Sequence, residues 1–187
     1  MRHKLILGAA ALLLPAASIL SVGASPATAR ANGLGTGTFS CAKATGSLNF
    51  KPGLTLTPQN VTVSSKTVGT SCKGTAKPLP TSATATSSAV SKGLDCQVLS
   101  AGKPSMFKTT IAYVPAASPS TEIGTLTGAK TTPLSFTTKG VVTGSYASKT
   151  ATSKGVIKQT VAQITASCMT KAGLTTLTVV SGSSSNE

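Results

Sequence analysis

Beyond an apolar run at Leu5–Leu20, apolar and hydroxyl-bearing residues alternate along this chain in short stretches, with no sustained 3.6-residue period. Phe107, Thr109, Ile111 and Tyr113 share one face of an extended segment, and Lys108, Thr110 and Ala112 take the other. Val156, Ala162, Ile164, Ala166 and Cys168 repeat the pattern, interrupted by Lys158 and Thr160. Such alternation is what half-buried antiparallel strands require. Bounded by Gly, Pro and Asn, it predicts strands at Gly37–Cys41, Gly46–Lys51, Asn60–Val68, Ala83–Val90, Cys96–Leu99, Met106–Tyr113, Leu134–Thr138, Val141–Ser145, Val156–Ser167 and Leu174–Val180. Pro115–Lys130 reads as an exposed loop with a short strand at Ile123–Thr127, and Ser181–Glu187 as a frayed polar end. Ten short strands with turn signals between them predict an all-β fold, an antiparallel two-sheet sandwich of immunoglobulin-like or related type.

The N-terminal run has the organisation of an export signal. Arg2, His3 and Lys4 precede Leu5–Leu20, and Ala27-Thr28-Ala29 places small residues where a signal peptidase cuts. A run of 16 residues is short for a membrane span. The expected organisation is therefore a signal peptide at 1–29 and one β-sandwich domain at 30–187, with cleavage after Ala24 or Ala31 as alternatives. The expected location is extracellular, with cell-wall association left open.

Export changes the meaning of the four cysteines, Cys41, Cys72, Cys96 and Cys168. An even number in an oxidising compartment points to disulfides. No two have the short spacing of a metal site, and no histidine remains beyond His3. Of three possible connectivities, Cys41–Cys72 with Cys96–Cys168 is favoured. Residues 45–51 and 60–67 read as two strands joined by a Pro- and Gly-rich turn, and a hairpin folded near residue 56 puts Cys41 opposite Cys72. From loop-closure entropy, loops of about 31 and 72 residues would contribute roughly 3.7 and 4.4 kcal/mol.

Phe39-Ser40-Cys41, Gly46, Phe50-Lys51-Pro52-Gly53-Leu54-Thr55, Val61-Thr62-Val63, Cys72, Cys96 and Cys168 followed by Gly173-Leu174-Thr175-Thr176-Leu177 form a further pattern. In these residues the chain resembles small exported four-cysteine, Thr/Gly-rich proteins of actinobacteria. The resemblance implies a β-sandwich and carries no activity, cofactor or site residue.

Charge and chemistry narrow the function classes. Seventeen basic residues fall to fifteen once Arg2 and Lys4 are removed, against Asp95, Glu122 and Glu187, a balance of +12. The lysines arrive singly and without interleaved aromatics, which argues against specific nucleic-acid binding. With no histidine or tryptophan and three carboxylates, the mature chain lacks the usual material of acid–base, metal or sugar-cleaving sites. Ser40-x-x-Lys43, Ser100-x-x-Lys103 and Ser105-x-x-Lys108 match a catalytic Ser–Lys spacing, but a chain this rich in both residues produces such matches by chance. The expectation is a protein without catalytic, cofactor or metal sites. It would associate with an anionic envelope polymer or polysaccharide, with Lys149, Lys154 and Lys158 as the polyanion contact. A ligand- or protein-binding module is the alternative. Lysines gathered on one face would favour the first, and a concave apolar pocket the second.

Overall fold

The computed structural model describes residues 33–101, 105–129 and 133–186; the expected signal peptide lies outside the described residues. The chain runs through β1 (Phe39–Leu54), β2 (Gln59–Gly74), β3 (Ser82–Leu94), α1 (Cys96–Ala101), β4 (Ser105–Val114), β5 (Ser120–Ala129), β6 (Ser135–Gly144), β7 (Ser148–Ile157), α2 (Val161–Cys168) and β8 (Leu174–Asn186). Each strand pairs antiparallel with its sequence neighbours, and β1 also pairs with β8, from Phe39↔Asn186 to Leu54↔Leu174. The sheet therefore closes on itself as an eight-stranded antiparallel barrel. This overturns the two-sheet sandwich.

The physical reason lies in strand length. Glycines that read as turn signals sit inside strands. Gly46 lies mid-β1, joining the two short runs expected there, and Gly140 likewise sits within β6. At Gly46 and Gly124, an added Cβ would stand 2.2 Å from the carbonyl oxygens of Lys66 and Lys139 on the neighbouring strands. Glycine is thus required by close backbone approach where the sheet coils, and the strands run on through it. Pro115–Lys130 is likewise no loop in its second half, because β5 occupies Ser120–Ala129. Nor is the C-terminus frayed: Ser181–Asn186 completes β8 and pairs with both β7 and β1.

Two expected strands are helices. Cys96–Leu99 belongs to α1, entered through Asp95, whose Oδ1 accepts from the Val98 amide at 2.7 Å. The run expected at Val156–Ser167 breaks after Ile157, and α2 begins under a capping box. Thr160 Oγ1 accepts from Gln163 N at 3.2 Å, and Gln163 Oε1 accepts from Thr160 N at 2.9 Å. Ile164 and Cys168 are the buried residues of α2.

The hairpin register places Cys41 opposite Cys72, as the fold-back near residue 56 requires, and the disulfides join Cys41 to Cys72 and Cys96 to Cys168. The second bond ties α1 to α2 within an apolar cluster of Phe50, Leu54, Val61, Ile157, Ile164, Leu174, Leu177 and Val179. That cluster plugs one end of the barrel. At the other end Tyr113 and Tyr146 pack edge-on with ring centroids 4.6 Å apart, and Phe39 meets Tyr146 at 5.2 Å. Gly35 lies against the Tyr146 ring, and its carbonyl accepts from Tyr146 N at 2.7 Å. Asn186 ties the seam, its Oδ1 accepting from Phe39 N at 2.7 Å and its Nδ2 donating to Tyr146 O at 2.9 Å.

Closure through bare backbone makes a test. Gly124→Val should cost at least the roughly 1–3 kcal/mol of an overpacked core. Gly33→Ala, where an added Cβ meets nothing within 4 Å, should leave stability unchanged. Urea unfolding that moved both midpoints equally would show that close approach at Gly124 is not what the fold needs.

Candidate functional site

Between its two plugs the barrel encloses a cavity of about 330 Å³. An eight-stranded barrel has an interior just wide enough for side chains to fill, or for one small ligand where they do not. Here they do not, because three neighbouring strands present small groups inward. β3 contributes Ala83, Ala85, Ser87, Ala89 and Ser91, β2 contributes Ser65, Thr67 and Gly69, and β1 contributes Ala44. Ala151, Ser153 and Ser184 continue this lining on β7 and β8. Larger apolar groups, among them Phe50, Phe136, Ile111 and Val142, complete a wall that is mostly hydrocarbon.

The wall is incomplete on one side. Among the described residues the β3–β4 ladder covers Ser82↔Val114 to Thr86↔Thr110. β3 continues to Leu94, paired there with β2 alone, while β4 continues down to Ser105 and pairs with β5. The two strands splay apart. Ser87, Ala89, Ser91 and Leu94 on one side, and Met106, Phe107 and Thr109 on the other, all line the cavity. Met106 is 74% exposed at this gap.

One carboxyl side chain lies within the lining and is buried, beside two buried tyrosines. Glu122 on β5 faces inward between its cross-strand partners Thr109 on β4 and Val142 on β6. It is 6% exposed, and its Oε1 has no hydrogen-bond partner among the described residues. Burial raises its pKa above the ordinary carboxylate value. Gly140 makes room for it, since a Cβ there would stand 3.1 Å from both Cγ and Oε1 of Glu122. The Tyr113 hydroxyl is pushed up to about 12, chiefly by burial; a hydrogen bond with Ser120 lowers it, and Tyr146 and Glu122 add to the rise. Burial also raises Tyr146, whose hydroxyl donates to Pro78 O at 2.7 Å. Both phenols are neutral at physiological pH. The site therefore combines a largely apolar wall, Ser and Thr hydroxyls and one carboxyl whose Oε1 has no partner among the described residues.

The residues singled out from the sequence lie elsewhere. Lys149 and Lys154 are strung along β7 with Lys158 just past its end, so at roughly 3.3 Å per residue the first and last stand about 30 Å apart. They form no common patch. The described lysines are all exposed and are carried on β1, β2, β3, β4, β6 and β7 as well as on the connections. Asp95 caps α1, and the cysteines staple the wall and the helical plug. Ser40 and Lys43 are exposed residues of β1, far from the helix start that Ser–Lys chemistry uses. Sequence reasoning passed over Glu122 as a site residue and missed the cavity. The signal was the inner face of β3, where Ala, Ala, Ser, Ala and Ser alternate with outward Thr, Thr, Ser and Val. A strand that presents only Ala and Ser at five successive inward positions leaves the space beside it unfilled.

No protein-family model, curated protein or solved structure matches the chain. Its function is therefore argued from the cavity itself.

The buried carboxyl sets a pH signature. Its folded-state pKa is raised above the unfolded value, so its contribution to stability is fully present below the unfolded pKa and is lost as pH rises through the folded one. Wild-type and Glu122→Gln melting temperatures, measured from acid to neutral pH, should diverge progressively, with wild type falling relative to the variant. Parallel curves would show that Glu122 is not desolvated. Asp95 and the lysines are common to both proteins and cancel in the difference.

Proposed function

We propose that this protein is a non-catalytic carrier or sensor barrel that takes one small, largely apolar molecule into its lumen. The observation that carries this reading is the unfilled cavity of about 330 Å³ lined by Ala, Ser and Gly, which lies at the small end of the roughly 300–1,000 Å³ typical of ligand pockets. At about 30 Å³ per water, it holds the volume of roughly eleven waters, or a slender molecule of about ten non-hydrogen atoms. The splayed β3–β4 edges supply an entrance, and the two plugs and two disulfides hold the rest of the wall rigid.

The outside of the barrel supports the same reading. Outward positions are mostly Thr, Ser and Lys, for example Thr84, Thr86, Lys108, Thr110, Thr125 and Lys139. This inverts the pattern of a membrane-spanning barrel, whose apolar band faces outward. Ligand binding is therefore assigned to the inside, while the described lysines are distributed over six strands.

The experiment is binding of a slender apolar probe, 1-octanol, followed by calorimetry and by its effect on thermal unfolding. Wild type should be stabilised in a saturable, one-to-one manner. Ala85→Leu, which fills the lumen from β3, should weaken binding at least tenfold. Thr86→Leu, one residue on and pointing outward, should bind as wild type does. Equal binding by all three proteins would place the probe outside the cavity and sink the proposal.

A further inference from the structure

We propose that the ligand carries a protonated amine on its apolar body, and that the cavity selects it by seating the ammonium against Glu122. This rests on the small-molecule reading above and names the chemical class that the site recognises.

The inference starts from an orphaned acceptor. Buried polar atoms in folded proteins almost always have a partner, and one without calls for an explanation. Glu122 Oε1 is such an atom, on a side chain 6% exposed that opens into an apolar cavity. The chain has lysines to spare, yet among the described residues none pairs with this carboxyl, and all of those described stand exposed. A barrel that needed only an apolar ligand would keep its lumen free of charge, because an unpaired carboxylate against an apolar wall is costly. A ligand that brings its own cation removes that cost and fills the cavity in one step.

The surroundings suit an ammonium. Thr109, buried and directly opposite Glu122 on β4, adds a hydroxyl acceptor at neighbouring-strand distance. Glycine at 140 leaves the flank of the carboxyl open, where a Cβ would approach Oε1 to 3.1 Å. An ammonium has three donors to place, and a carboxylate together with a hydroxyl accepts them. A ligand carboxylate would meet like charge, and an alcohol would satisfy the orphaned oxygen without compensating its charge.

Glu122 is also the group that governs pH dependence. The titratable side chain that senses it is Tyr113 from β4, which packs in turn on Tyr146 from the β6–β7 turn; both are raised and neutral. Lys108 on β4 and Lys154 on β7 border the cavity but are exposed to solvent. As pH falls through the titration of Glu122 the carboxylate is lost, and amine affinity should fall with it, whereas binding of an uncharged ligand should not change.

The test uses the disulfide-bonded protein with three probes of nearly equal size: n-octylamine, 1-octanol and sodium octanoate, below their aggregation limits and at matched ionic strength. At neutral pH octylamine should bind at least tenfold more tightly than octanol, with octanoate weakest. The preference should shrink as pH is lowered. Glu122→Gln should bind octylamine and octanol within about twofold of each other, and its retained octanol binding would show that the cavity is intact. Octanol binding as tightly as octylamine, or a preference for the amine that survives Glu122→Gln, would overturn the assignment of Glu122 while leaving the small-molecule cavity standing. Failure of all three probes to bind would overturn the cavity reading and this one together.

Discussion

Everything else in this structure depends on the pairing of β1 with β8. That ladder converts a linear series of hairpins into a closed wall, and closure fixes how wide the interior is. Once the circumference is set, each inward side chain either fills its share of the lumen or leaves space that no rearrangement of a single strand can remove. β1, β2 and β3 leave that space, because Ala44, Gly69 and the Ala/Ser face of β3 are small. The plugs answer the second demand of a closed sheet, that its open ends be covered. Helix α2 and its apolar neighbours cover one, and the Phe39, Tyr113 and Tyr146 rings under Gly35 cover the other.

Stability and binding pull against each other at Glu122. A neutral residue there would fit the apolar lining better, and the fold carries the carboxyl at a cost. The disulfides and the two end clusters supply the margin that tolerates it. Cys96–Cys168 closes 72 residues of chain and joins the two helices, while Cys41–Cys72 locks the hairpin beside the closing seam. Neither bond touches Glu122, so the scaffold holds the wall still without satisfying the group that awaits a partner.

The lysines have a different physical meaning in a barrel from the one they would have on a single flat face. Distributed over six strands, they surround the wall with positive potential, and Lys139 and Lys154 stand as outward diagonal neighbours on β6 and β7. Their effect on long-range attraction is diffuse and weakens with salt. A lumen carboxyl inside a positively charged shell is shielded from the lysines by the wall itself, since side chains on a strand point alternately in and out. The opposite charges of this chain are kept apart by the pleat.

Much was legible along the chain because period-two alternation and hairpin register are local properties. The β class, the β1–β2 fold-back, the inward set Phe107, Thr109, Ile111 and Tyr113 and the pairing of four cysteines all follow from residues close in sequence or from one turn. Even the start of α2 was written locally, in Thr160 and Gln163, as a capping box embedded in an apolar run that looked like a strand. What the sequence by itself could not decide was whether the sheet would divide into two layers or close. That choice rests on contacts between residues nearly the whole described chain apart, such as Phe39 and Asn186, and on glycines whose role is visible only when the neighbouring strand lies against them. The cavity follows from closure and not from any one strand. Glu122 is one isolated carboxylate in the sequence; it becomes a binding group only because closure wraps seven other strands around it and leaves the space beside it empty.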